Sequence, residues 1–145
     1  MVHEAITLRE GPAGGAPGQG RFAMSAAERS TAAKMVTALF DHWKLSTTQQ
    51  CELLGLSPET RSTLTRYRGG APLGPHRDLL ERVGNLLGIH KSLRLLYPHN
   101  RELAYRWPTA RNRALDNLAP VEVMIEHGLP GIITVRNYVD FLRGL

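Results

Sequence analysis

The sequence predicts an all-α fold, and three observations support this fold class. Apolar residues recur at three- and four-residue spacing through most of the chain after residue 25. No alternation of apolar and polar residues continues for longer than about four positions, so no strand is expected. Helix-capping residues precede the periodic stretches, and glycine or proline follows them. These patterns together favour a bundle of helices in two parts.

The composition is that of a folded protein with a basic surface. At 145 residues, of which 42% are hydrophobic, the chain can form a modest core. No run of about 18 apolar residues is present, so no membrane span is predicted. The N-terminus shows no basic-then-apolar leader, and we expect a cytoplasmic protein. The net charge of +5 comes mostly from arginine, whose planar guanidinium suits phosphates and guanine edges.

Residues 1–24 are predicted to form a flexible arm ahead of two folded parts. The segment GPAGGAPGQG is rich in glycine, proline and alanine and shows no hydrophobic periodicity. The acidic residues Glu4 and Glu10 balance Arg9 and Arg21. The arm therefore does not resemble a basic arm that binds DNA. We place the first folded part at residues 25–98 and the second at residues 99–145.

The first two helices are predicted from their caps. Ser25, followed by Glu28, forms a capping-box pattern at the start of the first helix. Either Ser46 or Thr47 can cap the second helix, and Gly55 supplies a residue that ends it.

The third helix is expected to begin directly after a Ser57 cap, with Pro58 at its first position. Gly69 and Gly70 are expected to end it. The stretch PHRDLLERVGNLLGIHKSLRLLYP has the strongest helical periodicity and predicts a long fourth helix. Two glycines weaken its middle, so a kink or a close helix crossing is expected there.

The second part is predicted to contain short turns followed by two helices. The segment RELAYRWPTARNRALDNLAP is polar and broken by two prolines, which indicates short helical turns and loops. The segment PVEVMIEHGLPG indicates a helix that starts at Pro120 and stops at Gly128. The segment ITVRNYVDFLRGL is predicted to form the last helix.

The first three helices, from Ser25 to Arg68, are typical of a helix–turn–helix DNA-binding unit. The apolar residue Leu64 lies nine residues beyond Gly55, farther than the wedge residue of the common motif. Either the turn is longer, or Thr60 takes the wedge position. A helical hairpin whose polar face has no DNA role is the alternative. The residues expected to contact phosphates and guanine edges are Arg61, Ser62, Thr63, Thr65, Arg66 and Arg68.

Three segments of the second half point to a known family. They are LLGIHKSLRLLYP, the PVE helix start at residues 120–122, and VRNY at residues 135–138. In their order and spacing, the chain from residue 25 to residue 145 resembles the Xre/MbcA/ParS antitoxins. These proteins join an Xre-like helix–turn–helix region to a C-terminal toxin-binding domain. Asp116 and Asn117 replace the Gly-Gly that is common in the family, and asparagine tolerates the left-handed backbone.

The resemblance implies the antitoxin of a type II toxin–antitoxin pair. Its partner would be a RES-domain toxin that consumes NAD, and the antitoxin would block that active site without being an enzyme. The resemblance also implies operator DNA binding for autoregulation, by a homodimer or by a larger complex with the toxin. Two alternatives remain open: a stand-alone transcriptional regulator whose C-terminal domain only dimerises, and a neutraliser that has lost DNA binding.

The last helix carries two neighbouring apolar stripes. Val135, Val139 and Leu142 form the stripe that we predict to lie in the core. The stripe of Tyr138, Phe141 and Leu145 is predicted to face the partner, as an apolar helix face does in a groove. The Leu145 carboxylate is expected to mimic a substrate phosphate in the toxin's NAD pocket. The residues expected to bind the toxin are Arg136, Tyr138, Phe141, Leu142, Arg143, Gly144 and Leu145.

No catalytic or metal-binding constellation is expected. Six histidines are scattered along the chain, and none is paired at metal-ligand spacing on one helix. The single cysteine, Cys51, cannot form an internal disulfide and is expected to be buried. Trp43 and Trp107 are interpreted as packing residues. We therefore expect neither an enzyme nor a cofactor.

Overall fold

The computed structural model describes residues 23–145, and the arm predicted at residues 1–24 lies outside the described residues except for its last two positions. Within this range the chain is all-α, as predicted, and an isolated bridge between Asn112 and Leu118 is its only β pairing. Short 3-10 turns occupy Pro58–Thr60, Trp107–Thr109 and Arg113–Leu115. The α-helices are α1 (Ala26–His42), α2 (Thr47–Leu54), α3 (Arg61–Arg68), α4 (Arg77–Leu96), α5 (Arg101–Arg106), α6 (Pro120–His127) and α7 (Leu129–Leu142).

The caps of α1 and α2 are confirmed. The Glu28 N–H donates to Ser25 Oγ at 3.1 Å, and the Ser25 N–H donates to Glu28 Oε1 at 3.0 Å. Ser46 rather than Thr47 caps α2, because Ser46 and Gln49 form the same reciprocal pair of hydrogen bonds. Gly55 ends α2 with a φ of +71°, in the left-handed region that glycine adopts without strain.

The start of α3 differs from the prediction. The side chain of Ser57 makes no cap hydrogen bond, and Pro58–Thr60 form a 3-10 turn before the α-helix begins at Arg61. Thr60 closes this turn, since its hydroxyl donates to the Ser57 carbonyl at 2.6 Å. Leu64 is buried at 4% exposure, whereas Thr60 is only half-buried. The helix–turn–helix therefore has a lengthened turn, and Leu64 is the wedge residue.

Helix α4 is continuous over 20 residues, and the predicted weak point is a close crossing rather than a break. A Cβ atom at Gly88 would overlap the guanidinium group of Arg136 on α7. The absence of a side chain at Gly88 thus lets the α7 arginine lie against the α4 backbone.

Helix α7 begins at Leu129, four residues earlier than the segment ITVRNYVDFLRGL. Pro130 does not prevent this, because the first turn of a helix needs no N–H donor from its residues. Gly128, with a φ of +65°, joins α6 directly to α7. Gly131 lies against α6, where a Cβ atom would come within 2.5 Å of the Val123 carbonyl oxygen. The turn before α6 has Asp116 and Asn117 in the left-handed region, at φ values of 56° and 64°.

Buried residues from both predicted parts belong to one hydrophobic cluster. Cys51 is fully buried within it, as expected, and burial raises the pKa of its thiol. The boundary between residues 98 and 99 falls in the loop between α4 and α5 and stays a prediction. The cluster includes Val36, Phe40, Trp43, Leu53, Leu86 and Ile89 from the first part, and Val121, Met124, Ile132, Val135 and Val139 from the second.

Candidate DNA-binding and partner-binding surfaces

The α3 face that the sequence predicts to contact DNA is turned to solvent. Leu64 and Tyr67 anchor the helix, with 4% and 7% of their surface exposed. Because these two residues point into the core, the residues between and around them point outward. Thr63 is half-buried, and the exposed members of the predicted set are Arg61, Ser62, Thr65, Arg66 and Arg68.

The arginines of this face differ in how they are engaged. The Arg68 guanidinium forms an ion pair with Asp41 of α1 and also donates to Gln50 Oε1 at 3.4 Å. Arg66 Nη2 donates to Thr63 Oγ1 at 3.3 Å on the same helix. Arg61 makes no ion pair with any residue in the described range. Arg61 and Arg66 are therefore the cations of α3 whose charge is not compensated by an acid.

The C-terminal end of α7 exposes large apolar side chains. Val135 and Val139 are fully buried, as predicted for the core stripe. Leu142 is 40% exposed, so its assignment to the core was wrong. Helix α6 has 8 residues and α7 has 14, so α6 cannot cover the last turn of α7. Phe141 and Leu145 are 71% and 75% exposed.

A polar network lies behind this apolar end and joins α7 to α4. Ser92, which is 2% exposed, donates through its hydroxyl to Asp140 Oδ1 at 3.0 Å. Arg143 Nη1 donates to the same Ser92 Oγ at 3.0 Å. Arg136 Nε lies 3.6 Å from Asp140 Oδ2, and Arg136 Nη1 donates to Asn85 Oδ1 at 3.3 Å. Both arginines predicted to bind the toxin are thus engaged within their own chain.

The last turn of α7 has a defined ending. The Leu145 N–H donates to the Asp140 carbonyl at 3.0 Å, and the Gly144 N–H donates to the Phe141 carbonyl at 2.9 Å. This pair of bonds, with Gly144 at a φ of +83°, is a Schellman motif. Tyr138 stacks on Trp107, with ring centroids 6.3 Å apart. The exposed apolar residues therefore project from an ordered helix end.

A stack of three rings connects α1, α5 and α4. Tyr105 lies between two histidines, with its ring centroid 4.3 Å from that of His42 and 5.4 Å from that of His90. The planes are nearly parallel, at 6° and 7°. Burial, with the charges of Arg94 and His42, lowers the pKa of His90 to about 4. The sequence contained no signal for this stack, because the three residues are far apart along the chain.

Acid is expected to destabilise the protein through His90. The folded state keeps His90 neutral, whereas the unfolded chain binds a proton as the pH falls below about 6.5. This contribution is fully present above pH 6.5 and is lost as the pH falls to about 4. Because the side chain is only half-buried, we expect a loss of roughly 1–2 kcal/mol in the free energy of unfolding. Urea denaturation at pH 7.5 and pH 4.5 measures it.

The control for this prediction is His90→Phe, which keeps a ring against Tyr105 and cannot be protonated. The variant should lose less stability than the natural chain between the two pH values. His99→Gln, at an exposed position, should leave the difference unchanged. If His90→Phe and the natural chain lost the same free energy of unfolding between pH 7.5 and pH 4.5, His90 would not be the cause of the loss.

Comparison with known proteins identifies the family. A family model described as an antitoxin Xre-like helix–turn–helix domain matches residues 23–88. The chain is also 35% identical over 104 residues to "Uncharacterized protein y4oB" of Sinorhizobium fredii (strain NBRC 101917 / NGR234), across 72% of this chain and 78% of that protein. The chain belongs to the Xre-like helix–turn–helix antitoxin family. In this family member the matched residues contain α1 to α3, and the exposed end of α7 lies beyond them.

Neither a metal site nor a membrane span is found among the described residues. Across residues 23–145 there is no group of three or more His, Cys, Asp or Glu side chains that could hold a metal ion. No helix in that range is long and apolar enough to cross a bilayer. The surfaces described above are the α3 face and the exposed end of α7.

Proposed function

We propose that this chain is the antitoxin of a type II toxin–antitoxin system, neutralising a RES-domain, NAD-consuming toxin through the end of α7. The observation that carries the proposal is the pair Phe141 and Leu145, large apolar residues with about three quarters of their surface exposed on an ordered turn. Covering such a side chain stabilises a complex by about 1.5–3 kcal/mol. Two large exposed apolar side chains at one ordered helix end are available for contact with a partner.

Neutralisation by this surface is steric. Phe141 and Leu145 would enter the toxin's active-site opening, with Leu142 beside them, and so exclude the substrate. The network of Ser92 and Asp140 with the two α7 arginines holds the helix in place, so little conformational entropy is lost on binding. The antitoxin contributes no chemistry of its own to this mechanism.

The alternative is a stand-alone regulator in which the end of α7 meets a second copy of itself. Both functions bury Phe141 and Leu145 in an interface, so the identity of the partner distinguishes the antitoxin from the regulator. The test is to express the protein encoded by the adjacent reading frame with and without this chain, and to follow growth. A RES-domain product that stops growth alone and is tolerated with this chain supports the antitoxin. A non-toxic neighbour, together with a stable homodimer of this chain, supports the regulator.

Operator binding is the second part of the proposal. The α3 face is exposed, and two of its arginines carry uncompensated charge. A helix–turn–helix protein reads two half-sites as a dimer, so we propose a homodimer or a complex assembled with the toxin. Such a role places the protein in the cytoplasm, with the DNA.

Replacing Arg61 or Arg66 by alanine is expected to weaken binding of promoter DNA by roughly 5- to 100-fold, because each loses a contact to a base edge or a phosphate. Gel shift with the duplex upstream of this gene measures the change. Arg113→Ala is the matched control, since it removes an exposed arginine that is outside α3. Unchanged binding by both α3 variants would remove the DNA assignment and leave the neutralising function standing.

A further inference from the structure

An open cleft of about 690 Å³ lies where the end of α1 and the start of α2 meet α5. Lys44 and Gln49 line it from the helix–turn–helix side. Arg101 and Arg106 line it from α5, in the part of the chain that follows residue 98. The cleft therefore brings cations from the predicted C-terminal domain beside the DNA-binding unit.

The charge of this cleft is positive. Asp41 also lines it, but the Asp41 carboxylate is paired with Arg68 of α3. Glu102 is the remaining acid of the lining, against the three cations Lys44, Arg101 and Arg106. None of the three cations forms an ion pair with any residue between 23 and 145. A cleft with this excess of uncompensated cations attracts anions.

An ion pair links the cleft to the α3 face. Arg68 belongs to the predicted DNA-contacting set, and its partner Asp41 belongs to the lining of the cleft. When the second helix of a helix–turn–helix enters the major groove, the first helix crosses the phosphate backbone. In this chain the first helix is α2, and its first turn contributes Gln49 to the cleft. DNA docked on α3 in this way would run its backbone past α2, whose first turn lines the cleft.

We propose that this cleft is a second DNA contact, in which Lys44, Arg101 and Arg106 bind backbone phosphates beside the α3 site. The proposal rests on operator binding by α3 and extends it to the C-terminal part of the chain. Phosphate contacts fix the register of a protein on the duplex without reading sequence. The C-terminal part thereby adds affinity for any duplex, while α3 supplies discrimination between sequences.

An acidic surface of the toxin is the rival partner for these cations. The lining of the cleft contains no residue of α6 or α7, whose exposed end is the proposed toxin-binding surface. It contains residues of α1 and α2 instead, which belong to the DNA-binding unit. The position of the cleft thus favours DNA.

The test is a salt titration of duplex binding by the full chain carrying Arg101→Ala and Arg106→Ala. Each phosphate contact contributes about 0.9 to the slope of log affinity against log salt concentration. The double variant should lower that slope by about 2 and weaken binding of the promoter duplex and of a random duplex by the same factor. Arg101→Lys with Arg106→Lys keeps both charges and should keep the slope.

The matched control is Arg111→Ala with Arg113→Ala, which removes the same charge from exposed positions outside the cleft lining. Its slope should equal that of the natural chain. The proposal would be overturned if the cleft variant kept the slope of the natural chain, or if the control lowered the slope equally. It would also be overturned if the cleft variant lost toxin binding in place of DNA binding. The Arg61→Ala and Arg66→Ala variants test DNA binding by α3 separately from phosphate binding by the cleft. If they lose DNA binding while the Arg101→Ala, Arg106→Ala variant keeps the salt slope of the natural chain, then α3 binds DNA and the cleft does not.

Discussion

Phe141→Asp is expected to weaken the proposed complex with a toxin by at least about 100-fold while leaving the protein folded. The Phe141 side chain is 71% exposed, so its removal costs the isolated chain little packing. In the complex the same side chain would be an aromatic anchor, and loss of such an anchor typically costs 2 kcal/mol or more. The new carboxylate also has to be desolvated without a partner, which adds to the loss.

Calorimetric titration of purified toxin with each variant measures this effect, and rescue of growth reports it in cells. Ile133→Asp is the matched control, because Ile133 is an exposed apolar residue two turns earlier on the same helix. The control should bind normally if the end of α7 is the contact. Deletion of residues 143–145 should reproduce the loss seen in Phe141→Asp. Full neutralisation by both the deletion and Phe141→Asp would show that the toxin is bound elsewhere.

Gly131→Ala is expected to lower the free energy of unfolding by about 2–3 kcal/mol. A Cβ atom there would lie 2.5 Å from the Val123 carbonyl oxygen and 3.2 Å from the Met124 Cα. These are backbone atoms of α6, so no side-chain rotation relieves the overlap. The helices α6 and α7 would have to move apart, and the buried contacts of Ile132 and Val135 would be weakened.

Urea denaturation followed by circular dichroism measures this loss. Gly69→Ala is the matched control, since its added Cβ atom would make only ordinary contacts, at 3.5 Å and 3.6 Å, and its φ is −77°. That substitution should change the stability by less than about 1 kcal/mol. Equal midpoints for Gly131→Ala and the natural chain would mean that the α6–α7 contact is not closely packed.

Local features of the helices were predictable because their causes are local. The capping pairs at Ser25 and Ser46 each depend on a residue three positions away. The pair at Ser25 was predicted, and the pair at Ser46 settles the choice between Ser46 and Thr47 that the sequence left open. The left-handed endings at Gly55, Asp116 and Asn117 follow from backbone preferences of single residues. The start of α3 was wrong by three residues, because a 3-10 turn satisfies the same Ser-Pro pattern as an α-helix cap.

The surfaces were less predictable because they depend on what other helices cover. Val135, Val139 and Leu142 share one stripe by periodicity, yet α6 is too short to cover the last of them. Arg136 and Arg143 read as free cations in sequence, whereas Ser92 and Asp140 engage both at the α4–α7 contact. Local sequence patterns do not predict contacts between residues that are about fifty positions apart, such as Ser92 and Arg143.

The sequence by itself determined the fold class, the capping box at the start of α1, the polar outer face of α3 and the resemblance to a known family. These follow from residue spacing over a few turns, where backbone and side-chain preferences act directly. Only the tertiary structure decided which side chains are left for partners. It exposed Phe141, Leu142 and Leu145 and opened the cleft of Lys44, Arg101 and Arg106. The physical reason is that burial and charge compensation depend on neighbours that the chain brings together only when it folds.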